Sequence, residues 1–311
     1  MPENRFFPPE GLRPPAPISL STLKGAMECG EILEATVQRC DAAHTLYIPL
    51  GSVRGMMPRQ EAIAPWINGS QRDIAVLSMV GKETCFTVKS LGSDEKGAPF
   101  AMLSRADAQE KAMEFFLEHL QKGMILTSRI THLTSFGAFL DIGCGIIAML
   151  PIELISTARL SHSNERFYEG QSILAVVKDF DRKKRRITMS HRELLGTWME
   201  NASRFTPGDT VQGIVRSVKD YGSFIELTPN LSGLAENRIS LTAGDRVSVY
   251  IKSIRPERMK IKLQAIEKLG TVTQPPAFSY QITDGQLERW IYSPPNYEKA
   301  PVVTDFTASA P

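Results

Sequence analysis

The sequence lacks a long apolar run, and this absence excludes a protein that crosses a membrane with helices. The best apolar stretch of the 311-residue chain, residues 142–151, is far shorter than the ~20 residues that a membrane helix needs. The first twenty residues are rich in proline and lack the apolar segment of a secretory signal. We therefore expect a cytoplasmic protein with no membrane partner.

Cysteine and recognisable catalytic motifs are also scarce. The four cysteines form no CxxC pair, so they are predicted to be buried, reduced thiols rather than metal ligands. The five histidines show no metal-ligand spacing, and the sequence contains no HExxH, GxxxxGK[ST] or GxSxG motif. We therefore predict no enzyme activity, no metal and no cofactor.

The net charge is only +2, but the charge is unevenly distributed along the chain. Residues 25–105 contain 8 basic and 9 acidic residues, whereas residues 121–193 contain 11 and 7, and residues 205–265 contain 9 and 6. The two later blocks are therefore basic, as expected of surfaces that bind a polyanion.

One motif occurs twice, once in each basic block. Residues 129–144 read RITHLTSFGAFLDIGC, and residues 216–231 read RSVKDYGSFIELTPNL. Each copy contains an alternating strand, a turn with an aromatic residue and a glycine, and a second strand with a phenylalanine near its start. The repetition predicts a small β-module, present in tandem, that displays aromatic rings.

Changes in composition and periodicity divide the chain into modules and connectors. Residues 1–24, with six prolines, are predicted to be a disordered leader. Residues 25–104, 123–192 and 206–265 are predicted β-modules, and residues 105–122 and 193–205 are predicted helical linkers. Residues 266–311 are predicted to be a mostly disordered tail. The aromatic-rich motif at 280–295 can dock on its own chain or on a partner, and the sequence does not decide which.

Short strands are predicted throughout the three modules. The predicted strands of the first module lie at 31–39, 45–50, 74–80 and 83–90, with one helical turn at 59–63. Those of the second lie at 124–132, 139–142, 146–150, 171–180 and 186–190, and those of the third at 210–219, 223–227, 233–236, 246–254 and 260–263. Five strands with a long excursion after the third are typical of the Greek-key barrel called the OB-fold. We therefore predict an all-β chain of three tandem five-stranded OB-fold barrels, joined by short helical linkers and flanked by disordered proline-rich termini.

The repeated aromatic residues are Phe136 with Phe139, and Tyr221 with Phe224. Residues three apart on a flat strand point to opposite faces, so a pair shares a face only if the chain turns at the intervening glycine, such as Gly137. One such pair would fit a barrel core as well as a binding surface. The repetition and the Tyr221 hydroxyl favour a surface platform on which bases stack.

The strongest basic run is Lys183, Lys184, Arg185 and Arg186, and it lies just after Asp181. A solvated hairpin loop is the usual explanation for such a run. This run, however, joins the last two predicted strands of an OB-like barrel, whose loops contribute to binding. The cations would then bind phosphate, while Asp181 accepts a hydrogen bond from a base or braces an arginine.

These segments resemble the RNA-binding domain named after bacterial ribosomal protein S-one. The second module matches through SFGAFLDIG, GIIAMLPIELIS and EGQSILAVVKDFDRKKRRITMSHR. The third matches through GDTVQGIVRSVKDYGSFIEL, LSGLAE and IKSIRPERMKIKL, and the first matches weakly through GEILEATVQRCD and RGMMPRQEA. The resemblance implies an OB-fold that binds single-stranded RNA by equilibrium contacts, without chemistry.

The resemblance also assigns site residues, since the family's usual site holds two aromatics, a histidine after the third strand, an aspartate and an arginine. In the second module these positions are Phe136, Phe139, Asp181 and Arg186, with Pro151 in place of the histidine.

In the third module the two aromatics are Tyr221 and Phe224, and Lys260 stands at the arginine position. Glu236 occupies the histidine position and Arg255 the aspartate position. These departures, with Pro151, weaken the expectation of sequence-selective contacts more than that of stacking and phosphate contacts.

The first module lacks an aromatic pair, because its matching stretch, residues 41–44, reads DAAH. The resemblance implies that such a module docks on the ribosome. We therefore predict single-stranded RNA, in particular messenger RNA, as the partner, with the small ribosomal subunit as a second partner through the first module. One alternative is a protein-docking adaptor on the ribosome or another RNA machine with weak RNA binding. The other is an RNA-processing enzyme, which would need a catalytic segment that neither terminal region is long enough to hold.

Overall fold

The protein forms two compact units in a computed structural model that describes residues 7–13, 16–68, 73–236 and 239–307. The first unit comprises Met1–Leu120 with Asp141–Ile147, and the second comprises Gln121–Leu140 with Ala148–Pro311. Strands dominate both units. The predicted all-β class is therefore confirmed.

The first unit is built on a six-stranded sheet. Its elements in chain order are α1 (Leu20–Cys29), β1 (Leu33–Thr36), β2 (Arg39–Cys40), β3 (Leu46–Leu50), β4 (Val53–Met57), α2 (Pro65–Asn68), α3 (Asp73–Leu77), β5 (Glu83–Ser93), β6 (Pro99–Ser104) and α4 (Arg105–His119). A single 3-10 turn, Arg59–Glu61, follows β4, where one helical turn was predicted. The strand order is β1-β5-β6-β4-β3-β2.

The first module is a half-barrel sheet in place of the predicted closed barrel. Its edge strands β1 and β2 are separated by only Val37 and Gln38. The amide of Val37 donates to the carbonyl of Lys82, whereas the amide of Gln38 donates to the carbonyl of Tyr47. The chain thus changes pairing partner at this break, which splits one predicted strand into the two edges of an open sheet.

Alternating side chains of β3 and β4 form the core of the first unit. Leu46, Ile48 and Leu50 of β3 are at most 1% exposed, and Leu23 of α1 is fully buried against the same cluster. Burial of each such side chain is worth about 1.5–3 kcal/mol.

The strand predicted at 74–80 is wrong, because this segment contains the helix α3. Val76 and Met79, three residues apart, face the core, while Ile74 is 70% exposed. That spacing fits a helical period rather than strand alternation. Apolar composition alone suggested a strand, since a short apolar run does not distinguish the two.

The leader prediction is also wrong for residues 7–13 and 16–24. The Glu10 carboxylate accepts hydrogen bonds from the Arg105 guanidinium at 2.7 and 2.8 Å and from the Cys85 amide at 3.0 Å. Farther along, α1 begins at Leu20 after an N-cap at Ser19. One carboxylate with partners far along the chain orders a segment whose proline content suggested disorder, and composition cannot reveal such partners.

The second unit contains two closed five-stranded barrels. The second barrel uses β7 (Ile125–Thr134), β8 (Gly137–Asp141), β9 (Ile147–Pro151), β10 (Ser172–Asp181) and β11 (Arg186–Ser190), in the order β10-β11-β9-β8-β7. The third uses β12 (Thr210–Lys219), β13 (Gly222–Thr228), β14 (Leu231–Ala235), β15 (Asp245–Arg255) and β16 (Lys260–Thr271), in the order β12-β13-β14-β16-β15. Both match the OB-fold prediction, with strand ends displaced by a few residues, except that β16 runs eight residues farther.

Short helices follow the modules where the sequence predicts them. Helix α4 begins after Ser104, whose hydroxyl accepts the Asp107 amide at 2.9 Å. After the second barrel, a 3-10 turn at Arg192–Leu195 leads into α5 (Trp198–Ala202), capped by Thr197 with Glu200. Trp198 is 2% exposed and anchors this connector to the core of the third barrel.

The tail is ordered over residues 266–307, contrary to the prediction of a mostly disordered segment. Strand β16 continues to Thr271, and β17 (Arg289–Ile291) pairs with β18 (Val303–Asp305). Trp290 and Tyr292 are at most 9% exposed. The Tyr292 hydroxyl donates to the carbonyl of Asn230 at 2.6 Å, so the aromatic motif docks within its own unit.

Among the described residues, no helix combines the length and the apolar character needed to cross a membrane.

Candidate nucleic-acid interface

The aromatic pair of the second barrel lies on its outer surface. Phe136 is 57% exposed at the turn between β7 and β8, and Phe139 is half-buried on β8. The ring centroids are 6.1 Å apart and the ring planes are nearly perpendicular, at 87°. The pair therefore shares one face of the barrel, as the sequence predicts if the chain turns between the rings.

Gly137 makes this turn. Its φ of +151° is rare for residues that carry a side chain. A Cβ at this position would lie 2.2 Å from the carbonyl oxygen of Leu150 on β9. The backbone of β8 can approach β9 this closely only because Gly137 has no side chain. The chain bends at this close approach, so that Phe136 and Phe139 point toward the same side of the barrel.

The third barrel repeats this geometry closely. Tyr221 is 67% exposed, Phe224 is half-buried, and their centroids are 6.2 Å apart with an interplanar angle of 89°. Gly222 has a φ of +153°, and a Cβ there would lie 2.6 Å from the carbonyl oxygen of Ala235 on β14. Two barrels with different sequences at most positions thus present the same exposed ring pair.

Strand register places lysines on the same face as Phe224. Phe224 of β13 pairs with Leu234 of β14, and Leu234 pairs with Lys262 of β16. Directly paired residues share a face, and neighbouring strands lie about 4.8 Å apart. Lys262 therefore lies two strands from Phe224, and Lys260 follows on the same face because strand side chains alternate.

The basic run forms the hairpin between β10 and β11. Register pairs Asp181 with Arg186, and the side chains of Lys183, Lys184 and Arg186 are exposed. An Asp181 carboxylate oxygen accepts the amides of Lys183 at 3.0 Å and Lys184 at 2.9 Å. Hydrogen bonds from the backbone amides of the hairpin, with the nearby lysine charges, lower the pKa of Asp181 and keep it ionised.

The hairpin conformation also depends on Arg185, whose φ is +52°. The Lys184 ammonium lies 3.8 Å from the Asp181 carboxylate. Asp181 thus shapes the hairpin that carries the cations, while the predicted contacts to a base or to an arginine remain predictions.

The equivalent hairpin of the third barrel pairs Arg255 with Lys260, both exposed. A 3-10 turn, Pro256–Arg258, connects β15 to Met259, whose φ is +49°. The Arg258 guanidinium lies 3.1 Å from the Glu298 carboxylate, and both side chains are about half exposed. Arg255 and Lys260, which the sequence aligns with Asp181 and Arg186, thus form the equivalent register pair of the third barrel.

Comparison with known proteins finds a family whose sequence model matches the second barrel. Residues 119–192, which include the whole second barrel, match the family described as S1 RNA binding domain. The second barrel therefore matches the S1 RNA binding domain family, and we call it the S1 domain below.

Several bacterial ribosomal proteins are similar to this chain beyond that domain. It is 26% identical over 274 residues to the small ribosomal subunit protein bS1 homolog of Bacillus subtilis. This match covers 83% of this chain and 69% of that protein. It is 30% identical over 177 residues to bS1 of Leuconostoc lactis, covering 52% of this chain and 41% of that protein. The match to bS1 of Neisseria meningitidis is 28% identical over 262 residues, 78% of this chain and 44% of that protein. The chain thus spans less than half the length of the last two relatives.

One residue of the S1 domain surface was missed by the sequence analysis. His132 on β7 is exposed, and its ring lies 6.4 Å from the Phe139 ring at an angle of 23°. The His132 Nδ1 lies 3.0 Å from a Glu169 carboxylate oxygen. The available signal was its place opposite Phe139 in the predicted hairpin, which has no metal-ligand spacing.

Pro151, at the family's histidine position, does lie beside the aromatic turn. The amide that follows it, from Ile152, donates to the carbonyl of Phe136 at 3.0 Å. In the third barrel, Glu236 follows the end of β14 and is exposed. A carboxylate at this position repels phosphate. Glu236 thus places a negative charge where the S1 family has its histidine.

The first module forms a different turn at the corresponding position. The Asp41 carboxylate accepts the amides of Ala43 at 3.0 Å and Thr45 at 2.9 Å, and the Tyr47 hydroxyl at 2.9 Å. The turn is closed by these bonds, with His44 at a φ of +60°. The stretch that replaces the aromatic pair is therefore a tight acidic turn.

All four cysteines are free thiols. Cys85 and Cys144 are buried as predicted, Cys40 is partly buried, and Cys29 is exposed, contrary to the prediction. Within the part of the chain that the structure describes, no group of three His, Cys, Asp or Glu side chains could hold a metal ion.

Proposed function

We propose that the second and third barrels bind single-stranded RNA. The observation that carries this proposal is the exposed perpendicular ring pair, present in the S1 domain and again in the third barrel. Exposed aromatic faces beside cations are the surface on which unpaired bases stack while phosphates meet lysine and arginine.

Perpendicular rings restrict how bases can bind. One base cannot lie flat on both Phe136 and Phe139, so the two rings contact different bases or different edges of one base. Phe136 and Tyr221, which are the more exposed, provide the larger stacking faces. Stacking on such rings contributes about 1–3 kcal/mol per base and is tolerant of sequence.

The hairpin cations provide the second contribution. Lys183, Lys184, Arg185 and Arg186 in the S1 domain, and Arg255 and Lys260 in the third barrel, bind phosphates in this proposal. Because bound phosphates release counterions, affinity should fall as salt rises.

The ribosomal setting belongs to the same proposal. Relatives named small ribosomal subunit proteins support the proposal that this chain acts in translation in the cytoplasm, where it would hold messenger RNA near the small subunit. The first module, which lacks the ring pair, would be the part that docks on the subunit. The chain acts by binding, without catalysis.

Removal of the exposed rings tests RNA binding directly. Phe136→Ala and Tyr221→Ala in the full chain, measured by fluorescence anisotropy with single-stranded RNA at fixed salt, should each weaken binding about 5- to 150-fold. Tyr250→Ala is the control, because Tyr250 is an exposed aromatic on β15, a strand that does not pair with the ring-bearing β13. Wild-type affinity in both ring variants would contradict the proposal.

A second candidate is a docking adaptor with weak RNA binding. Glu236 and Arg255 stand where the family has a histidine and an aspartate, and Pro151 replaces the histidine in the S1 domain. If the ring variants bind RNA like wild type but the chain still co-sediments with small ribosomal subunits, the adaptor is correct. Deletion of the first module should abolish that co-sedimentation in either case.

A further inference from the structure

A long insertion of the S1 domain joins the two ring pairs. It lies in the connection between β9 and β10, and its 3-10 turn Ser163–Glu165 follows an earlier one at Ile152–Leu154. The turn is capped by local hydrogen bonds, because the Asn164 amide donates to the His162 ring nitrogen at 3.1 Å and the Ser161 amide donates to the Glu165 carboxylate at 2.8 Å. The insertion is thus a built element rather than a loose loop.

One end of this turn is fixed to the ring-bearing turn of the S1 domain. The buried Ser163 hydroxyl donates to the carbonyl of Thr134 at 2.9 Å and accepts the Thr134 amide at 3.1 Å. The Thr134 hydroxyl in turn donates to the carbonyl of Gly137 at 2.8 Å. Thr134 precedes Phe136 by two residues, so the insertion is bonded to the segment that positions this ring.

The other end is fixed to the third barrel beside its own rings. The Glu165 carboxylate accepts a hydrogen bond from Arg216 at 2.9 Å. Arg216 precedes Ser217, the register partner of Phe224. Ser163 and Glu165 are two residues apart, a backbone distance of at most about 7 Å, so the two anchor points are close together.

A buried ion pair makes the junction rigid. The Arg166 guanidinium donates to both Glu226 carboxylate oxygens, at 3.0 and 2.8 Å, and the side chains are 0% and 2% exposed. Arg216 binds the same carboxylate at 2.8 and 3.1 Å. Burial by itself would raise the pKa of Glu226, but the two guanidinium groups lower it, so the carboxylate stays ionised.

Glu226 also locates the junction relative to the third barrel's rings. It follows Phe224 by two residues on β13, and alternate residues of a strand share a face. Phe224 is half-buried, whereas Glu226 is covered by Arg166. The insertion therefore ends at the edge of the aromatic platform rather than on it.

We infer that the two ring pairs form one composite site of fixed spacing, which takes a single continuous strand of RNA across the insertion. This inference rests on the proposed RNA binding. It differs from two barrels that bind independently on a flexible tether, because the buried pair and the Ser163–Thr134 bonds hold the spacing in the free protein. The ligand is a single strand long enough to reach from Phe136 to Tyr221.

Spacer length in the RNA tests the fixed spacing. Two short single-stranded segments, each about five nucleotides, within the 4–16 that one OB-fold accommodates, would be joined by ethylene-glycol spacers of increasing length. A composite site gives a narrow affinity maximum at one spacer length, because effective concentration is greatest when the linker matches the span. We expect the best spacer to bind at least tenfold more tightly than the separate segment in the full-length wild-type chain.

Variants of the junction separate this inference from simple RNA binding. Arg166→Met should lower and broaden the maximum without changing the affinity for the separate segment, because Glu226 keeps Arg216 as its partner. Glu165→Gln, which changes a partly exposed residue, provides a second variant if Arg166→Met does not fold. Arg54→Ala, which removes an exposed ion pair with Asp94 in the first module, is the control and should leave the profile unchanged.

Two other results would overturn the inference in distinguishable ways. If affinity is flat with spacer length while Phe136→Ala and Tyr221→Ala still weaken the separate segment, the barrels bind independently and only the composite site is wrong. If neither ring variant changes the binding of any RNA, the proposed function fails and the composite site fails with it.

Discussion

Single residues decide whether this chain can present its aromatic rings. Gly137 and Gly222 hold the same unusual φ and the same close approach to the neighbouring strand in both barrels. Their side-chain hydrogens leave room for a carbonyl oxygen where any larger residue would collide. The exposed ring pairs are thus a consequence of two glycines as much as of the rings.

Gly137→Ala should destabilise the second barrel by about 3 kcal/mol or more, because the new Cβ meets the Leu150 carbonyl oxygen and the backbone is strained. Chemical denaturation of the full chain measures this change. Gly270→Ala is the matched control, since Gly270 has a φ of +134° but an added Cβ there meets nothing within 4 Å. Equal losses of unfolding free energy in the two variants would show that backbone strain causes the destabilisation and that the close approach to Leu150 does not contribute.

A buried histidine makes stability depend on pH at the residue scale. Burial lowers the pKa of His191 to about 4, while its hydrogen bond to the carbonyl of Ile155 opposes the shift and Arg166 adds to it. The His191 Nδ1–H donates to that carbonyl at 2.9 Å, and the Tyr280 hydroxyl lies 3.3 Å from Nε2. The ring is therefore neutral in the folded chain.

The sign follows from proton binding. The unfolded chain protonates His191 below pH 6.5 and the folded chain does so only near pH 4, so stability falls as pH drops through this window. From pH 7 to pH 5 the second unit should lose about 2 kcal/mol of unfolding free energy from this residue. Urea titrations at the two pH values measure the loss. His191→Gln should flatten the dependence, whereas His119→Gln, at an exposed position, should not.

At the scale of elements, the strands were predictable and their connections were less so. Alternating sequence located all ten strands of the two closed barrels, because one face of each strand must be apolar to form the core. The first module was harder, since the chain changes pairing partner between Val37 and Gln38 and α3 has strand-like composition. The first error occurred where a non-local partner chooses the conformation, and the second where a short apolar run fits a helix as well as a strand.

The β10–β11 hairpin should contribute the steepest salt dependence. Lys183→Ala with Lys184→Ala should weaken RNA binding similarly for all sequences, because cations that bind phosphate read no base information. The slope of log affinity against log salt should become shallower by about 0.7 for each phosphate that the variant no longer neutralises. Anisotropy titrations at several salt concentrations measure the slope. Lys82→Ala with Lys96→Ala, at exposed positions of the first module, is the control and should keep the wild-type slope.

At the scale of the whole molecule, the second unit is more than two barrels in series. The Arg166–Glu226 pair joins the barrels, and Tyr292 from the tail bonds to Asn230 while its carbonyl accepts the Trp198 amide at 3.0 Å. These interactions are buried, so removing them should lower the stability of both barrels together.

Arg166→Met should therefore raise hydrogen exchange in β8 and β13 together, because the second unit opens as one cooperative body. Removing one partner of a buried ion pair lowers the free energy of unfolding by about 3–5 kcal/mol. We expect the lower end of this range because Arg216 still donates two hydrogen bonds to Glu226. Amide hydrogen exchange with mass spectrometry measures both strands in one experiment. Arg258→Ala, in an exposed pair, is the control, and faster exchange in only one barrel of Arg166→Met would refute the cooperative unit.

Local sequence determined the all-β class, the closed barrels, the helical connectors and the identity of the ring pairs, because strand alternation and a repeated motif are local properties. Only the tertiary structure decided that the rings are exposed, that Glu10 orders the leader, that Trp290 and Tyr292 dock the tail, and that Arg166 joins two barrels. The contacts of Glu10, Tyr292 and Arg166 depend on partners dozens of residues away. Burial and ion pairing are settled by what the fold brings together, and composition alone does not contain that information.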